Sequence, residues 1–274
     1  MYERLGDTRS AAVVWGCIAD IAHVRGDYDE ALRIRHEVQL PAFERLGHIH
    51  ETAVAWGSIA DIAHLRGDYD EALRIRHEVQ LPAFERLGDT RSAAVVWGCI
   101  ADITYERGDF EEALRIRREI ELPVYMRLGD TRSAAITWGS IADIAYERGD
   151  YDEAAELQEK RLEVNQQLGD LGGIAAASWG LARIDLARKD QQAAIPRLIE
   201  SFKINSQLQR PEGIAGTGTL LGQLLLTAGQ VHLARLVLGD AMTAAERVGR
   251  TDITSQISEL LQSLPPDQGA KSSC

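Results

Sequence analysis

The sequence predicts an all-α protein built as a solenoid of antiparallel helix hairpins. Two observations support this prediction. A tryptophan followed by glycine recurs at a step of 41 residues, at Trp15, Trp56, Trp97, Trp138 and Trp179. Each step also contains two helical patterns separated by a turn, the first of them at Gly26. Self-similarity at a fixed period of this length is typical of stacked repeat arrays.

The first repeats are close copies of one another. Residues 25–47 recur unchanged as 66–88, and residues 3–21 recur as 85–103. In such an array each unit packs only against its neighbours. A residue that recurs in every unit is therefore first of all a packing residue, and recurrence alone does not indicate a functional site.

Each unit has two different helices, which we name the A helix and the B helix. From Ala11 to Val24 the first unit is apolar nearly all round, which predicts an A helix packed on most sides. Gly26 follows as a helix C-cap able to adopt positive φ. Asp27 and Glu30 form a capping-box pattern at the start of the B helix. That helix is amphipathic, which predicts one solvated face.

Prolines fall inside the first three B helices, at Pro41, Pro82 and Pro123. A proline in a helix interior removes one backbone hydrogen bond and costs about 3 kcal/mol unless the helix bends or restarts. We therefore expect a kink near Leu40 and at the equivalent places. The fourth unit has Val164 there, so its B helix should run straighter.

The repeat gives the domain organisation directly. The predicted hairpin units are 7–47, 48–88, 89–129, 130–169, 170–209 and 210–249, and together with a capping helix over 251–263 they form one solenoid over residues 1–263. The capping helix has polar residues along one side, as the end of an array needs for solubility. The segment 264–274 is predicted to be a disordered tail.

At RGDYDEAL the chain resembles the tetratricopeptide repeat (TPR) family. Trp15, Ile18, Ala19 and Ala31 fall at the spacing of that family's tryptophan, leucine, small and alanine positions. The resemblance implies a right-handed α-solenoid of about six repeats. The common repeat has 34 residues, so this chain looks most like the long-repeat arrays of bacterial multidomain regulators. Arg35 stands where the family has an aromatic residue.

Composition and motifs exclude several classes of protein. The net charge of −12 argues against a general nucleic-acid binder. No stretch is long and apolar enough for a membrane span, and the first residues carry no apolar signal region, so the expected location is cytoplasmic. Cys17 and Cys99 alternate with Ser58 and Ser140, which indicates a small packed residue. We find no catalytic constellation, and expect no enzyme activity, cofactor or metal.

The resemblance implies that one face of each A helix lines a concave groove. The candidate partner-binding residues on that face are Asp20, His23, Asp61, His64, Asp102, Tyr105, Asp143 and Tyr146. Acidic and aromatic side chains on a concave wall suit a basic or mixed-polarity peptide. A second interpretation stays open, in which the aspartates are solvated structural residues, because like charges ~10 Å apart in water repel by only about 0.4 kcal/mol.

These observations favour a non-catalytic protein–protein interaction scaffold that binds a peptide or a partner domain in the groove. Two alternatives remain. The opening residues MYERLGD match the close of a B helix, so the chain could be the sensor or regulatory fragment of a larger signalling NTPase or protease. An uncovered first hairpin and near-identical units also permit self-association.

Overall fold

The fold was examined in a computed structural model that describes residues 7–262, within which all regular secondary structure is helical. The chain divides into two compact units, Met1–Asp130 and Thr131–Cys274. Unit 1 contains α1 (Thr8–Val24), α2 (28–46), α3 (Ile49–Leu65), α4 (69–87), α5 (Thr90–Glu106) and α6 (110–128). Unit 2 contains α7 (Thr131–Glu147), α8 (Tyr151–Leu168), α9 (Leu171–Ala187), α10 (Gln191–Gln207), α11 (Pro211–Thr227), α12 (Val231–Arg247) and α13 (Thr251–Gln262).

The helices pair as predicted. The odd-numbered helices from α1 to α11 are A helices, each followed by its B helix, and α13 packs after the last hairpin. The prediction of an all-α array of helix hairpins is confirmed. The predicted tail, 264–274, lies outside the described residues.

Short polar motifs begin and end the helices. Asp7 Oδ1 accepts a hydrogen bond from the Ser10 N–H at 3.0 Å and caps α1. Asp27 caps α2 in the same way through the Glu30 N–H, at 3.2 Å. Between them Gly26 has φ of 79°, the left-handed conformation that glycine adopts without steric cost. The turn at Gly26 and the cap at Asp27 are therefore confirmed. The reciprocal half of the capping box is not formed, because the Glu30 carboxylate accepts from Arg33 and the Asp27 N–H donates to the Ala22 carbonyl.

A single π-helical turn lies immediately before the proline in each of the first three B helices. In α2 it covers Arg35–Gln39, between the α-helical segments Tyr28–Ile34 and Leu40–Leu46. The Leu40 N–H bonds to the carbonyl of Arg35, five residues back. The corresponding turns are Arg76–Gln80 in α4 and Ile116–Glu121 in α6. The irregularity expected near Leu40 is thus a widened turn.

The regularity expected of the fourth B helix is also found. In α8 the run Tyr151–Leu168 is continuous α-helix, and α8 is one residue shorter than α2, α4 or α6. A proline alone does not produce the π turn, because Pro196 lies inside the continuous α-helix α10. We conclude that each π turn accommodates one additional residue.

The additional residue explains a change of period along the chain. The A helices begin 41 residues apart from Thr8 to Thr131, and 40 residues apart from there to Pro211. Trp179 follows the sequence period of 41, and therefore lies one position later in α9 than Trp138 does in α7. The position of Trp138 in its helix corresponds in α9 to Ser178, and that of Gly139 to Trp179.

Alanine allows the two helices of each hairpin to approach closely. The fourth residue of every B helix is a fully buried alanine: Ala31, Ala72, Ala113, Ala154, Ala194 and Ala234. Leucine and isoleucine fill the space between successive hairpins. Leu40 of α2, for example, shares a core cluster with Ile59 of α3 and Ile75 of α4. Such contacts join neighbours in sequence, as expected of a repeat array.

The expectation that every A helix is packed on most sides is wrong for α1. Ile18 and Ile21 are 40% and 53% exposed, whereas the equivalent Ile100 and Ile103 of α5 are 2% and 0% exposed. The α5 residues pack in the core between neighbouring hairpins, and α1 carries the same side chains on an exposed face. Local sequence therefore does not determine the burial of this face.

Candidate functional site

The predicted groove residues lie near the C-terminal end of successive A helices. In unit 1 they form pairs spaced by three positions, Asp20 with His23 on α1, Asp61 with His64 on α3, and Asp102 with Tyr105 on α5. Residues three apart share one side of a helix. In unit 2 the fourth pair, Asp143 with Tyr146, lies on α7.

Each unit 1 aspartate is held by a buried arginine of its own B helix. Arg35 Nη2 donates to Asp20 Oδ1 at 2.5 Å, Arg76 Nη2 donates to Asp61 Oδ1 at 2.5 Å, and Arg117 bonds Asp102 in the same way. The arginine side chains are only 3%, 4% and 6% exposed, and the aspartates 65%, 51% and 56%. The two charges of each pair cancel, but the part that solvent or a binding partner can reach is the carboxylate.

Each of these guanidinium groups also binds a second polar residue, four positions later in the same π turn. Arg35 Nη1 donates to Gln39 Oε1 at 2.9 Å, and the buried Gln39 amide covers Gly16 of α1. A Cβ atom at position 16 would lie 2.2 Å from Gln39 Nε2. Gly16 therefore allows a side chain of the B helix to approach the backbone of α1 closely. In α6 the second polar residue is Glu121, bonded to Arg117 at 2.6 Å.

These B-helix residues are the part of the site that the sequence analysis missed. Arg35 was noted only as a departure from the family's aromatic position, and Arg76, Arg117, Gln39, Gln80 and Glu121 were not noted at all. The available signal was an arginine followed four residues later by Gln or Glu, repeated at the period beside an apolar stripe. Buried Nε atoms on all three arginines have no hydrogen-bond partner among the described residues.

The aromatic and histidine members of the pairs differ from one repeat to the next. His64 Nε2 lies 2.7 Å from Glu106 Oε2 of the next A helix. Both His23 and His64 pack on the tyrosine that begins the following B helix, with 5.6 Å to Tyr28 and 5.7 Å to Tyr69 between ring centres. Tyr105 packs on Phe110 at 5.3 Å. The copies therefore occupy equivalent positions but offer different chemistry to the solvent.

In unit 2 the position of Asp143 is taken by Arg183 in the following A helix, because the period there is 40. Arg183 lies 3.5 Å from Asp143 and 3.2 Å from Glu147, and its guanidinium stacks 4.2 Å from the centre of the Tyr146 ring. The row of aspartates at this helix position thus ends at Asp143, beside a cation.

Burial changes the acidity of two of the aspartates. It raises the pKa of the Asp102 and Asp143 carboxyl groups above the ordinary value of 3.8, and the neighbouring Arg117 and Arg183 oppose that rise in pKa only in part. A carboxylate with a raised pKa is incompletely solvated. A cationic or N–H-bearing ligand would stabilise the ionised form of each carboxylate.

A cavity opens beside the first of these pairs. It has a volume of about 300 Å³ and lies between α1, α2 and α3, with Asp20, Arg35 and Gln39 on one side and His50 and Val54 on the other. Space of this size accommodates an amino-acid side chain. The candidate site in unit 1 is therefore a groove with exposed carboxylates, apolar walls and buried guanidinium groups beneath.

Two other kinds of site were sought over residues 7–262. No group of three or more His, Cys, Asp or Glu side chains in that range is placed to hold a metal ion. No helix there combines the length and the apolar character needed to cross a bilayer.

Comparison with known proteins supports the resemblance seen in the sequence. Residues 133–207 match the family model described as tetratricopeptide repeat, so the resemblance to that family is confirmed. No curated protein matches the chain in sequence.

Solved structures share the fold at low sequence identity. BtubC (BKLC) from P. vanneervenii has 17% identity and a TM-score of 0.62, with 88% of this chain and 92% of that one covered. The Rap conjugation gene regulator of plasmid pLS20, solved with a peptide, has 11% identity and a TM-score of 0.68, covering 99% and 80%. A signal transduction ATPase with numerous domains (STAND) and a tetratricopeptide repeat sensor, from Pyrococcus horikoshii, has 15% identity and a TM-score of 0.67, covering 95% and 43%. At these identities the likeness establishes the fold alone.

Proposed function

We propose that this tetratricopeptide repeat array is a non-catalytic scaffold that binds a basic or mixed-polarity protein segment along the exposed face of its A helices. The observation that carries the proposal is the repeated pairing of a half-exposed aspartate with a buried arginine. Each buried guanidinium fixes its aspartate in one orientation, so the free carboxylate oxygen is already directed when a partner arrives. Preorganised acceptors reduce the entropy lost on binding.

The chemistry of the partner follows from the accessible atoms. Because the exposed part of each pair is an acceptor, the fitting groups are donors: lysine or arginine side chains and backbone N–H groups. The net charge of −12 favours encounter with a basic partner. Rap regulators have been solved with a bound peptide and with Competence and Sporulation Factor, which supports peptide binding by arrays of this fold.

The test compares two pairs of Asp→Asn substitutions. Asp102→Asn with Asp143→Asn removes two groove carboxylates, while Glu121 and Glu147 remain to neutralise Arg117 and Arg183. Asp70→Asn with Asp152→Asn is the matched control. These two aspartates are 89% and 99% exposed and form ion pairs with Arg107 and Arg188. Both double variants change the net charge equally.

The probes are three fluorescein-labelled peptides of equal length, in which alanine alternates with lysine, glutamine or glutamate. We expect the lysine peptide to bind the unmodified protein best, and the groove variant to bind it about tenfold more weakly, since each partly exposed ion pair contributes up to about 1 kcal/mol. Fluorescence anisotropy measures the affinities. An equal loss of affinity for the lysine peptide in both double variants, or no loss of affinity in the groove variant, would contradict the proposal.

The STAND relative favours a second candidate function. In that protein the repeats form a sensor within a larger chain, and this chain spans 43% of its length. A sensor also needs a ligand-binding groove, so the peptide assay applies to both candidates. A stop codon immediately upstream of Met1 in the gene, with no further repeats before it, would count against the sensor candidate.

A further inference from the structure

Unit 2 contains a cavity of about 350 Å³ between α9, α10 and α11. It occupies the same place in its hairpin as the unit 1 cavity, between two successive A helices and above a B helix. Its lining is different. No carboxylate–arginine pair lies at its base, and Ser201, Asn205 and Thr217 take their place, all of them buried.

Short residues at the base distinguish this cavity from the one in unit 1. A residue with positive φ follows each B helix, and the position eight residues before it is equivalent from one hairpin to another. That position is Ser201 in α10, Arg161 in α8 and Gln39 in α2. Arg161 and Gln39 each extend over a glycine of the paired A helix. Ser201 is too short to do so, and Trp179 stands in α9 at the position of that glycine.

A glycine widens the same cavity from the opposite side. Gly216 is the sixth residue of α11, where α1, α3 and α5 have Val13, Val54 and Val95. A Cβ atom at position 216 would meet no described atom within 4 Å, so packing does not require glycine here. Glycine is the least favourable helix residue after proline. The free space in the cavity is the one structural consequence of Gly216 that we find.

The buried polar groups at the base have unused hydrogen-bonding capacity. Ser201 Oγ donates to the Ala175 carbonyl at 2.9 Å. Asn205 Nδ2 and Thr217 Oγ1 reach Ser201 Oγ only at 3.4 Å. Asn205 is 7% exposed, and its Oδ1 accepts no hydrogen bond from any residue the structure describes. This oxygen remains accessible from the cavity, so a ligand that donates a hydrogen bond can replace water there.

We propose that this cavity accepts the side chain of a tyrosine from the bound protein segment. The inference rests on the proposed function and adds a specificity pocket to it. The ring would lie between Trp179 and the open backbone of Gly216, and the phenol would reach the polar base. There its O–H donates to Asn205 Oδ1, and its oxygen accepts from the Thr217 hydroxyl. Tyrosine suits a site with apolar walls and a polar end.

Other side chains fit the cavity less well. Phenylalanine would fill the same volume but would leave Asn205 Oδ1 without a hydrogen bond. A site that hydrogen-bonds a hydroxyl discriminates strongly against the analogue that lacks it. A lysine or carboxylate would place a charge on a neutral buried base. At the rim, Arg210 and Glu212 are both exposed and have opposite charges, so the rim does not select for one sign.

The experiment titrates N-acetyl-L-tyrosinamide and N-acetyl-L-phenylalaninamide into the full chain. Binding is followed by NMR at the side-chain amide of Asn205 and the indole N–H of Trp179. We expect saturable shifts at both groups with the tyrosine probe, and affinity at least about tenfold lower with the phenylalanine probe. Thr217→Val keeps the shape of the side chain. It should lower the affinity for the tyrosine probe and leave the affinity for the phenylalanine probe unchanged.

Gly216→Val should abolish binding of the tyrosine probe, because the valine side chain would occupy the space in which the ring lies against the backbone of Gly216. Gly239→Val is the matched control. Gly239 is an exposed glycine of α12 whose Cβ would also meet no described atom within 4 Å, and it lies away from the cavity. Circular dichroism verifies that both variants fold.

Equal affinity for the two probes, or binding that survives Gly216→Val, would overturn the tyrosine pocket. So would shifts that never saturate. If the tyrosine probe fails while the lysine peptide still binds in a manner that depends on Asp102 and Asp143, only the pocket is refuted. If the lysine peptide fails as well, the proposed function is refuted with it.

Discussion

A buried arginine determines how each groove aspartate of unit 1 is presented. Taking a guanidinium out of water is costly unless a carboxylate and further hydrogen bonds compensate it. Arg35 meets this requirement with Asp20 and Gln39, both within the same hairpin. The aspartate is consequently a structural partner on one oxygen and an open acceptor on the other. The two interpretations left open by the sequence, a binding surface and a structural residue, are compatible.

The partners of the three arginines predict unequal effects of removing a groove carboxylate. Asp61→Asn leaves the guanidinium of Arg76 with the neutral Gln80, whereas Asp102→Asn leaves Arg117 with the carboxylate of Glu121. Since hydrogen bonds to charged groups contribute about 1.5–3 kcal/mol, we expect Asp61→Asn to lower the free energy of unfolding by about 2 kcal/mol. Asp102→Asn should lower it by less than half as much. Urea denaturation measures both, and equal losses would contradict this account.

The raised pKa of two carboxyl groups predicts how binding depends on pH. Asp102 and Asp143 attract a cation only when ionised, so affinity for the lysine peptide is complete well above their pKa and is lost as pH falls through it. Because burial raises both pKa values above 3.8, the loss should begin at a higher pH than ordinary aspartates would give. Anisotropy titrations at decreasing pH measure it. The variant with both Asp→Asn changes should lose this pH dependence.

The candidate site could be predicted only in part from the sequence. Asp20 and its copies were found because the family resemblance assigns that helix face to the groove. Arg35 and Gln39 escaped because a charged residue on an amphipathic B helix is ordinarily placed on the solvated face. Both nevertheless continue the buried face, because Arg35 lies four residues after the buried Ala31 and Gln39 lies four residues after Arg35.

At the scale of the element, the π turn also accounts for the unusual period. The hairpins of α2, α4 and α6 have one more residue than that of α8, and that residue is absorbed within the widened turn. Pro41 indicates the place of the irregularity in the sequence, but the proline is not its cause. The B helix with Val164 is regular and the three with the prolines are not, as expected. A proline alone does not explain this difference, because Pro196 leaves α10 regular.

Single-residue deletions test this explanation. Deleting Glu78 from the π turn of α4 should yield a continuous α-helix of the α8 type and lower the melting temperature by about 5 °C or less. Deleting Glu159 from α8 should be far worse, with a loss of more than about 10 °C, because every later residue rotates by about 100° and the buried Asn165 leaves its site. Both glutamates are exposed. Thermal melts followed by circular dichroism compare the two deletion variants. Equal decreases in melting temperature would refute the explanation that each π turn holds one additional residue.

At the scale of the whole molecule, the same sequence occurs in two environments. The first fourteen residues of α1 and α5 are identical, yet the isoleucines that are buried in α5 are exposed in α1. Intrinsic helix propensity is the same for both copies. Any difference in local stability must therefore come from the neighbours that each copy has in the array.

Hydrogen exchange measures that difference with the sequence held constant. We expect amides of α1 to exchange at least about tenfold faster than the matching amides of α5, because fewer apolar contacts oppose local opening. Peptic fragments that extend beyond Ile21 and Ile103 differ in mass, so mass spectrometry can separate the two copies. Equal protection would show that α1 is covered in solution, and would support self-association through this face.

The confinement of each Asp–Arg–Gln contact to a single hairpin has a consequence for how such a chain can change in length. Residues 25–47 and 66–88 are identical, so recombination between the gene segments that encode them removes or adds one whole period. Every product keeps each buried guanidinium beside its own carboxylate, since no contact of this set crosses from one hairpin to the next. The number of binding positions can thus evolve without leaving a buried charge unpaired.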